Sequence, residues 1–529
     1  MKKVIYFILT SFISTTLFAQ SGKSLLNDSV LHEIRVEINI PDWFETLESD
    51  FKGNLNKPES YPEIYRMCNV TIDGEKLDSV GFREKGNYSN SINNASKKKP
   101  FKLSFDEFKD QKYNGLKKIN LNNGTDDPSF VREALVFKLM RDEGLPACRT
   151  SYAKLYINEE YWGLYILIEN VDKTFLKDQY GKANNNGNLY KTDRGAGVSL
   201  NWFGNDTTPY INEGLLLKTN EDSSDWSTFF HFVDIVNNTP PAEMKEKLSA
   251  VFDVEGYLKY LAVEKLVFSW DSYWGGGNNF YLYEHPDGKI RWLPWDFNET
   301  MQDHRLLLKV IISDYKYLIP SNSFDKRPLL KAIFSVPEWK EMYLNTVCQM
   351  LSGKFQTEQI APTIIRLQDL IRNALIEDEK KINSIENFSI SLTQKSREQI
   401  EFPRTGLAFN IDYPGIFPFI AKRRVWAGEE LQLHNFNCNF PNNKIDSYTI
   451  GIYPNPASNN ITIYWETLQL NVSKIIVMNL LGESVIESKW INYTSNAIQM
   501  DISSLNPGFY LVKKLDADGQ HGICKLIKE

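Results

Sequence analysis

Apolar and polar residues alternate from Ile34 to Ile40, which predicts a strand with one buried face, and Pro41-Asp42-Trp43 then opens a short helix. Tyr65 to Ile72 and Leu77 to Arg83 flank Asp73-Gly74, the pattern of a hairpin with a type I′ turn. In the strand that follows Lys97-Lys-Lys99, the side chains of Phe101, Leu103 and Phe105 share one face and Lys102 lies on the other. Leu116 to Asn122 reads as a further strand. Val131, Leu135 and Leu139 fall at helical spacing between about Pro128 and Glu143, with Asp127 or Thr125 as cap and Gly144 as stop. Tyr152–Ile157 and Trp162–Glu169 form a second hairpin.

The helix predicted over Val254–Trp270 leads into a third hairpin, Phe280–Tyr283 against Lys289–Leu293, turning at His285-Pro-Asp-Gly288 with His285 exposed. Helical periodicity then dominates through Ile382, over Arg327–Ile333, Pro337–Leu351 and Thr357–Ala374. After a polar connector at Asn442–Thr449, Ile450 to Glu529 breaks into seven or so short strands between turn residues, the pattern of a small β-sandwich. The fold class is therefore α+β with a separate all-β tail.

Composition narrows the partners. A net charge of −7 over 529 residues offers no basic signature for nucleic acid or an anionic membrane. Met1 to Gln20 has the form of a secretory signal: Lys2 and Lys3, an apolar run from Val4 to Phe12, and Leu17-Phe18-Ala19 before a cut at Gln20. No later segment is apolar enough for a membrane helix, so none is expected in the mature chain. The five cysteines are far apart and lack zinc spacing, which favours buried small hydrophobes over a disulfide framework.

Candidate chemistry concentrates between Trp270 and Met301. Hairpin geometry brings Asp271, Asn279 and Asp296 to one end of the third hairpin. Two aspartates and an asparagine there can bind a divalent cation through hard oxygen ligands, and they can equally cap turns. Gly81 to Gly86 lacks the Gly-Lys-Ser/Thr of a phosphate loop, and neither Gly-x-Ser-x-Gly nor His-Glu-x-x-His occurs.

The body resembles the CotH kinase family of secreted or spore-coat atypical kinases, through motifs that occur in family order. They are Gly81-Phe-Arg-Glu-Lys-Gly-Asn-Tyr-Ser89, Lys99-Pro-Phe-Lys-Leu-Ser-Phe105, Ile119-Asn-Leu-Asn122, Asp127-Pro-Ser-Phe-Val-Arg132 and Gly144-Leu-Pro-Ala147. Next come Leu155-Tyr-Ile-Asn158, Tyr161-Trp-Gly-Leu-Tyr165 with Glu169, and Gly187-Asn-Leu-Tyr-Lys191. Asn279-Phe-Tyr-Leu-Tyr283, Leu293-Pro-Trp-Asp-Phe297 and Phe419-Ile-Ala-Lys-Arg-Arg424 complete the series. The tail resembles the type A sorting domain of type IX secretion, through Tyr453-Pro-Asn-Pro-Ala457, Leu480-Leu-Gly-Glu483, Asp501-Ile-Ser-Ser-Leu505 with Gly508-Phe-Tyr510, and Lys525-Leu-Ile-Lys528.

These resemblances imply a signal peptide at 1–19, a kinase-like body at 28–432, a linker at 433–449 and an Ig-like sorting sandwich at 450–529. The implied product is a secreted or surface atypical kinase that enters the periplasm and uses the type IX machinery. It would transfer the γ-phosphate of ATP to Ser, Thr or Tyr of exported proteins. Asp271 would orient the nucleophile, and Asp296 would hold Mg²⁺ or Mn²⁺ with one Asn of the 278–279 pair, Asn279 being favoured over Asn278 because it abuts the Phe-Tyr strand. Asn298 stands where the family often has a second acid; its amide is a weaker ligand that Glu299 can supplement. Lys102, or alternatively Lys99, would contact phosphate, helped by Arg83 and Lys85, while Glu169 would lie near the adenine edge or pair a lysine, and Lys191 would lie near the nucleotide. A second implied reading is a surface adhesin or scaffold with a weakened or inactive kinase fold.

Overall fold

A computed structural model describes residues 20–55, 63–86, 88–91, 97–193, 197–222, 225–302, 317–402, 407–438, 450–465, 472–479, 481–489, 491–492, 497–516 and 521–529. The expected signal segment at 1–19 and the expected connector at 442–449 lie outside the described residues.

The N-terminal third folds as a closed barrel. Its strands are β1 (Leu31–Glu37), β2 (Arg66–Ile72), β3 (Glu75–Glu84), β4 (Phe101–Ser104), β5 (Lys118–Asn122), β6 (Thr150–Ile157) and β7 (Glu160–Glu169). Neighbours run β1-β2-β3-β4-β5-β7-β6, and parallel pairing of β1 with β6 closes the circle. Alternation explains the interior: His32, Ile34 and Val36 of β1 point inward, as do Phe101 and Leu103 of β4. The β2–β3 turn has the geometry expected of Asp73-Gly74, with φ of 49° and 89°. Strand periodicity located the hairpins, but closure depends on the distant β1–β6 pairing, which no local pattern encodes.

Beyond the barrel lies a second sheet of β8 (Leu189–Thr192), β9 (Leu215–Leu217), β10 (Phe280–Glu284) and β11 (Ile290–Pro294), in the order β11-β10-β8-β9. The helices Arg132–Asp142, Val254–Val267, Pro337–Ser352, Thr357–Glu377 and Ile416–Leu433 share one large apolar core with it. Mixed helices and several sheets agree with α+β. Among the described residues no helix is long and apolar enough to cross a membrane.

Three expectations need correction. The helix after Asp127 begins only at Arg132, with Val131 as N-cap. Asp127 still serves the helix start, accepting from the Arg132 amide at 2.8 Å as well as from the Ser129 amide at 2.9 Å. Cys348 and Cys438 form a disulfide, their Cα atoms 5.7 Å apart, while Cys68 and Cys148 are buried thiols as expected. The pair is 90 positions apart in sequence, so only folding brings it together. His285 is half-buried: its Nδ1 lies 2.9 Å from Asp287, and its ring meets Tyr180.

The tail forms two sheets. Ile450–Tyr453, Asn460–Trp465 and Ala497–Asp501 make one, and Ser484–Glu487, Val472–Met478, Gly508–Asp516 and His521–Lys528 make the other. Ile452, Ile463, Ile475, Val477, Val512 and Leu526 from both sheets share one small core.

Candidate active site

A cleft of about 320 Å³ opens between one side of the barrel and the second sheet. The barrel supplies a polar row, because Arg83 of β3 faces Lys102 of β4, which faces Asn120 of β5 in register. These residues lie opposite the buried faces of Phe101 and Leu103, so one alternation builds both the core and the cleft wall. Lys85, Asn122 and Ile166 extend that wall, Glu133 enters from the helix Arg132–Asp142, and Lys191 and Tyr281 come from paired positions on β8 and β10. Asp271, Asn278, Asn279, Asp296, Asn298 and Glu299 close the far side.

The loop carrying Asp271 is held from several directions. The preceding helix ends where Phe268 takes a left-handed φ of 53°. Arg423 caps its last carbonyls, donating to Lys265 O and, at 3.3 Å, to Leu266 O. Arg327 donates to the carbonyls of Tyr273 and Gly275 at 2.5 and 2.9 Å. Gly277 is required by its φ of 79° and by the Val198 backbone, which a β-carbon would meet at 2.9 Å.

Asn278 and Asn279 each donate an amide N–H to the Asp271 carboxylate, at 3.0 and 2.9 Å, and Asn279 also reaches the Asp271 carbonyl at 2.7 Å. Both amide nitrogens are thereby engaged, which turns the amide oxygens to other partners. Asn279 and Asp296 both hold positive φ, 60° and 58°. Asn and Asp tolerate that region better than most residues, and strain of this kind clusters at working sites.

Charge is distributed unevenly across the cleft. Lys85 donates to Asn122 Oδ1 at 2.5 Å, and Asn122 donates to Glu133 at 2.9 Å. Burial lowers the Lys85 pKa to about 8 against the pull of Asp296 and Glu133. Burial, reinforced by Asp296, pushes Glu133 up to about 8. Burial also raises Asp296, and raises Glu299 well above the carboxylate range with help from Asp271 and Asp126. Among the described residues neither Asp296 nor Glu299 accepts a side-chain hydrogen bond. Burial depresses Lys102 strongly; it would depress Lys191 as well, but Asp193 at 2.9 Å holds that lysine above its ordinary value. Crowded acids beside amide side chains fit a hard divalent cation. Among the described residues no group of three His, Cys, Asp or Glu side chains has metal-binding geometry, so the amides would be essential to such a site.

Of the residues named from sequence, Asp271, Asn279, Asp296, Asn298, Arg83, Lys102 and Lys191 line the cleft. Lys99 and Glu169 do not. Lys99 is buried and donates to the Asn90 carbonyl at 2.7 Å, and Glu169 pairs with Arg149 beyond the cleft. Glu133 and Asn122 were missed. Their signal was indirect: Asn122 ends a strand whose alternation points it outward, and Glu133 is the acid in the first turn of the next helix.

Comparison with known proteins finds two family models along the chain. The family model described as CotH kinase protein matches residues 82–427, and that of the secretion system C-terminal sorting domain matches residues 451–529. The chain is 26% identical over 297 residues to the inner spore coat protein H of Bacillus subtilis, covering 55% of this chain and 77% of that protein. It is 24% identical over 195 residues to the invasin CotH2 of Rhizopus delemar, 34% of this chain and 32% of that one. Spore coat protein homolog 1 of the same fungus matches at 24% over 249 residues, 45% of this chain and 39% of the relative. The chain thus spans only about a third of these fungal relatives. The sorting domain gives the destination, secretion or the cell surface by type IX sorting.

Proposed function

The chain belongs to the CotH kinase protein family, and from that premise we propose that it is an exported atypical protein kinase, transferring the γ-phosphate of ATP to Ser, Thr or Tyr of other exported proteins. One observation carries the reading: a single cleft is lined both by acid and amide groups, Asp271, Asn279 and Asp296, and by basic groups, Lys85, Lys102, Lys191 and Arg83. Phosphoryl transfer needs both, one to hold cation and nucleophile, the other to hold phosphate.

Asp296, Asn279 and Asn298, with Glu299 beside them, would hold Mg²⁺ or Mn²⁺, which when bound neutralises charge on the phosphates. Lys85 and Lys102 bind phosphate oxygens. Asp271 orients the acceptor hydroxyl and takes its proton as the oxygen bonds to the γ-phosphorus and the bridging P–O bond breaks. Asn278 and Asn279 fix the rotamer of that carboxylate, while burial raises its basicity against their donation. The kinase-like body and the Ig-like tail belong to the same proposal.

A second reading, a surface adhesin or scaffold with a weakened site, is favoured by Asn298, whose neutral amide oxygen is a poorer cation ligand than a carboxylate. Relatives named as an invasin and as spore coat proteins favour it as well. Purified protein with radiolabelled ATP and Mg²⁺ or Mn²⁺ separates the two. Autophosphorylation supports the kinase; its absence, with no rise in melting temperature on adding nucleotide, supports the scaffold.

A further inference from the structure

The turn that carries Lys85, Gly86 and Ser89 into the cleft is backed by three polar side chains that do not line it. Glu84 ends β3, Asn90 lies in the short helix Tyr88–Ser91, and Lys99 stands just before β4. Each is at most 3% exposed. Alternation explains Glu84: Arg83 faces the cleft, so the next residue turns inward, opposite Phe101 in register.

Asn90 ties the neck of the turn. Its side-chain amide donates to the Glu84 carboxylate at 2.8 Å and to the Lys85 carbonyl at 3.3 Å. Its main-chain carbonyl accepts from the Lys99 ammonium at 2.7 Å. The other end of the turn meets the same stretch, because the Lys85 amide donates to the Pro100 carbonyl at 3.0 Å. Lys99 and Pro100 thus grip both ends. They are anchored in turn by Tyr165, whose hydroxyl donates to the Lys99 carbonyl at 2.9 Å. Gly86 has a φ of 79°, and a β-carbon there would meet Ser89 Oγ at 2.5 Å and Pro100 at 3.3 Å. The turn therefore folds tightly over Pro100. From the cleft side the Ser89 carbonyl receives only long contacts, 3.4 Å from Asn123 and 3.5 Å from Thr125.

An acid and a base kept from water are costly, and apolar side chains would fill the same space more cheaply. Here each engages Asn90, one at its side chain and the other at its main chain. We propose that Glu84 and Lys99 are positioning residues for this turn, acting through Asn90 to hold Lys85 where it meets a nucleotide phosphate. This rests on the phosphate-binding role given to Lys85 above. Lys99 then serves the phosphates without touching them.

Lys99→Met and Glu84→Leu keep apolar bulk and remove one partner each, Asn90→Ala removes the link, and Glu84→Gln keeps an acceptor for Asn90. Burial pushes Glu84 up to about 7, so near neutral pH part of it is the uncharged acid that glutamine copies. In calorimetric titration of the full chain with ATP and Mg²⁺, Lys99→Met, Glu84→Leu and Asn90→Ala should each weaken binding about tenfold, through lost preorganisation. The double variant of Lys99→Met and Glu84→Leu should be no weaker than the worse single change. Glu84→Gln should bind within about twofold of the wild type. Unchanged affinity in Lys99→Met and Glu84→Leu, additive losses, or a Glu84→Gln as weak as Glu84→Leu overturn the proposal.

Amide hydrogen exchange gives a reading independent of nucleotide. Faster exchange confined to Lys85, Gly86 and Tyr88–Ser91 in Lys99→Met and Glu84→Leu, but not in Glu84→Gln, supports the proposal; unchanged or chain-wide exchange overturns it. A wild type that binds no nucleotide defeats the kinase reading by itself, and the exchange result still decides whether Glu84 and Lys99 hold the turn.

Discussion

Lys85 reaches Glu133 through a single intervening amide, donating to Asn122 at 2.5 Å while Asn122 donates to Glu133 at 2.9 Å. Both ends of this relay have pKa values near 8, the lysine depressed and the acid raised, each chiefly by burial. Below that pH the lysine is charged and the acid neutral, so the pair is net positive and attracts phosphate. Above it the lysine is neutral and the acid charged, so the pair is net negative and repels phosphate.

Nucleotide affinity is therefore expected to hold from pH 6 to 7 and to fall about tenfold by pH 9, as the charged fraction of a lysine with pKa near 8 declines. Calorimetric titration of ATP across this range measures it, and Lys85→Arg should make the decline shallower. A flat profile in the wild type would place the phosphates elsewhere.

Asp296→Ala should abolish metal-dependent nucleotide binding, read as loss of the Mg²⁺-dependent rise in melting temperature. Undiminished binding in this variant would move the cation away from Asp296.

Asp271→Ala should leave nucleotide affinity within about twofold and lower phosphate transfer at least about a hundredfold, the scale of a positioned general base. Transfer at the wild-type rate would unseat Asp271 from that role.

Glu169 tests the boundary of the site. Its carboxylate pairs with Arg149 and accepts the Arg149 amide at 3.0 Å. Glu169→Gln should cost about 3 kcal/mol in chemical unfolding, as expected when one partner of a buried pair is removed. Nucleotide affinity should be unchanged; a loss there would return Glu169 to the nucleotide.

Reduction, or Cys348→Ser, should destabilise the body by at most about 4–5 kcal/mol, the chain-entropy value for a loop of this length. A denaturant melt with and without reductant measures the difference. An oxidised bond suits an exported chain.

Local pattern located most of the strands and helices because each depends on alternation or a turn within about ten residues. It placed Lys102 on the cleft face through the opposite burial of Phe101 and Leu103, and hairpin return brought Asp296 toward Asp271. It failed where partners are distant. The β1–β6 seam, the Cys348–Cys438 bond and the Glu133–Asn122–Lys85 relay are all fixed by tertiary packing. Motifs and strand position carry no direction for a side chain: Lys99 points at the Asn90 carbonyl, and Glu169 pairs with a base, though with Arg149 and not a lysine.

The barrel's parallel seam has a consequence for the order of assembly. β1 pairs with β2 locally, but its other edge must wait for β6, as Leu31 meets Tyr152 and Val36 meets Ile157. Chain emerging N-terminus first therefore carries an unmatched strand edge until more than a hundred further residues have followed. Contacts of such long range slow closure and lengthen exposure to wrong partners. Sealing the barrel is therefore expected to be the slow step of folding, checked by whether the β1 amides gain exchange protection last on refolding.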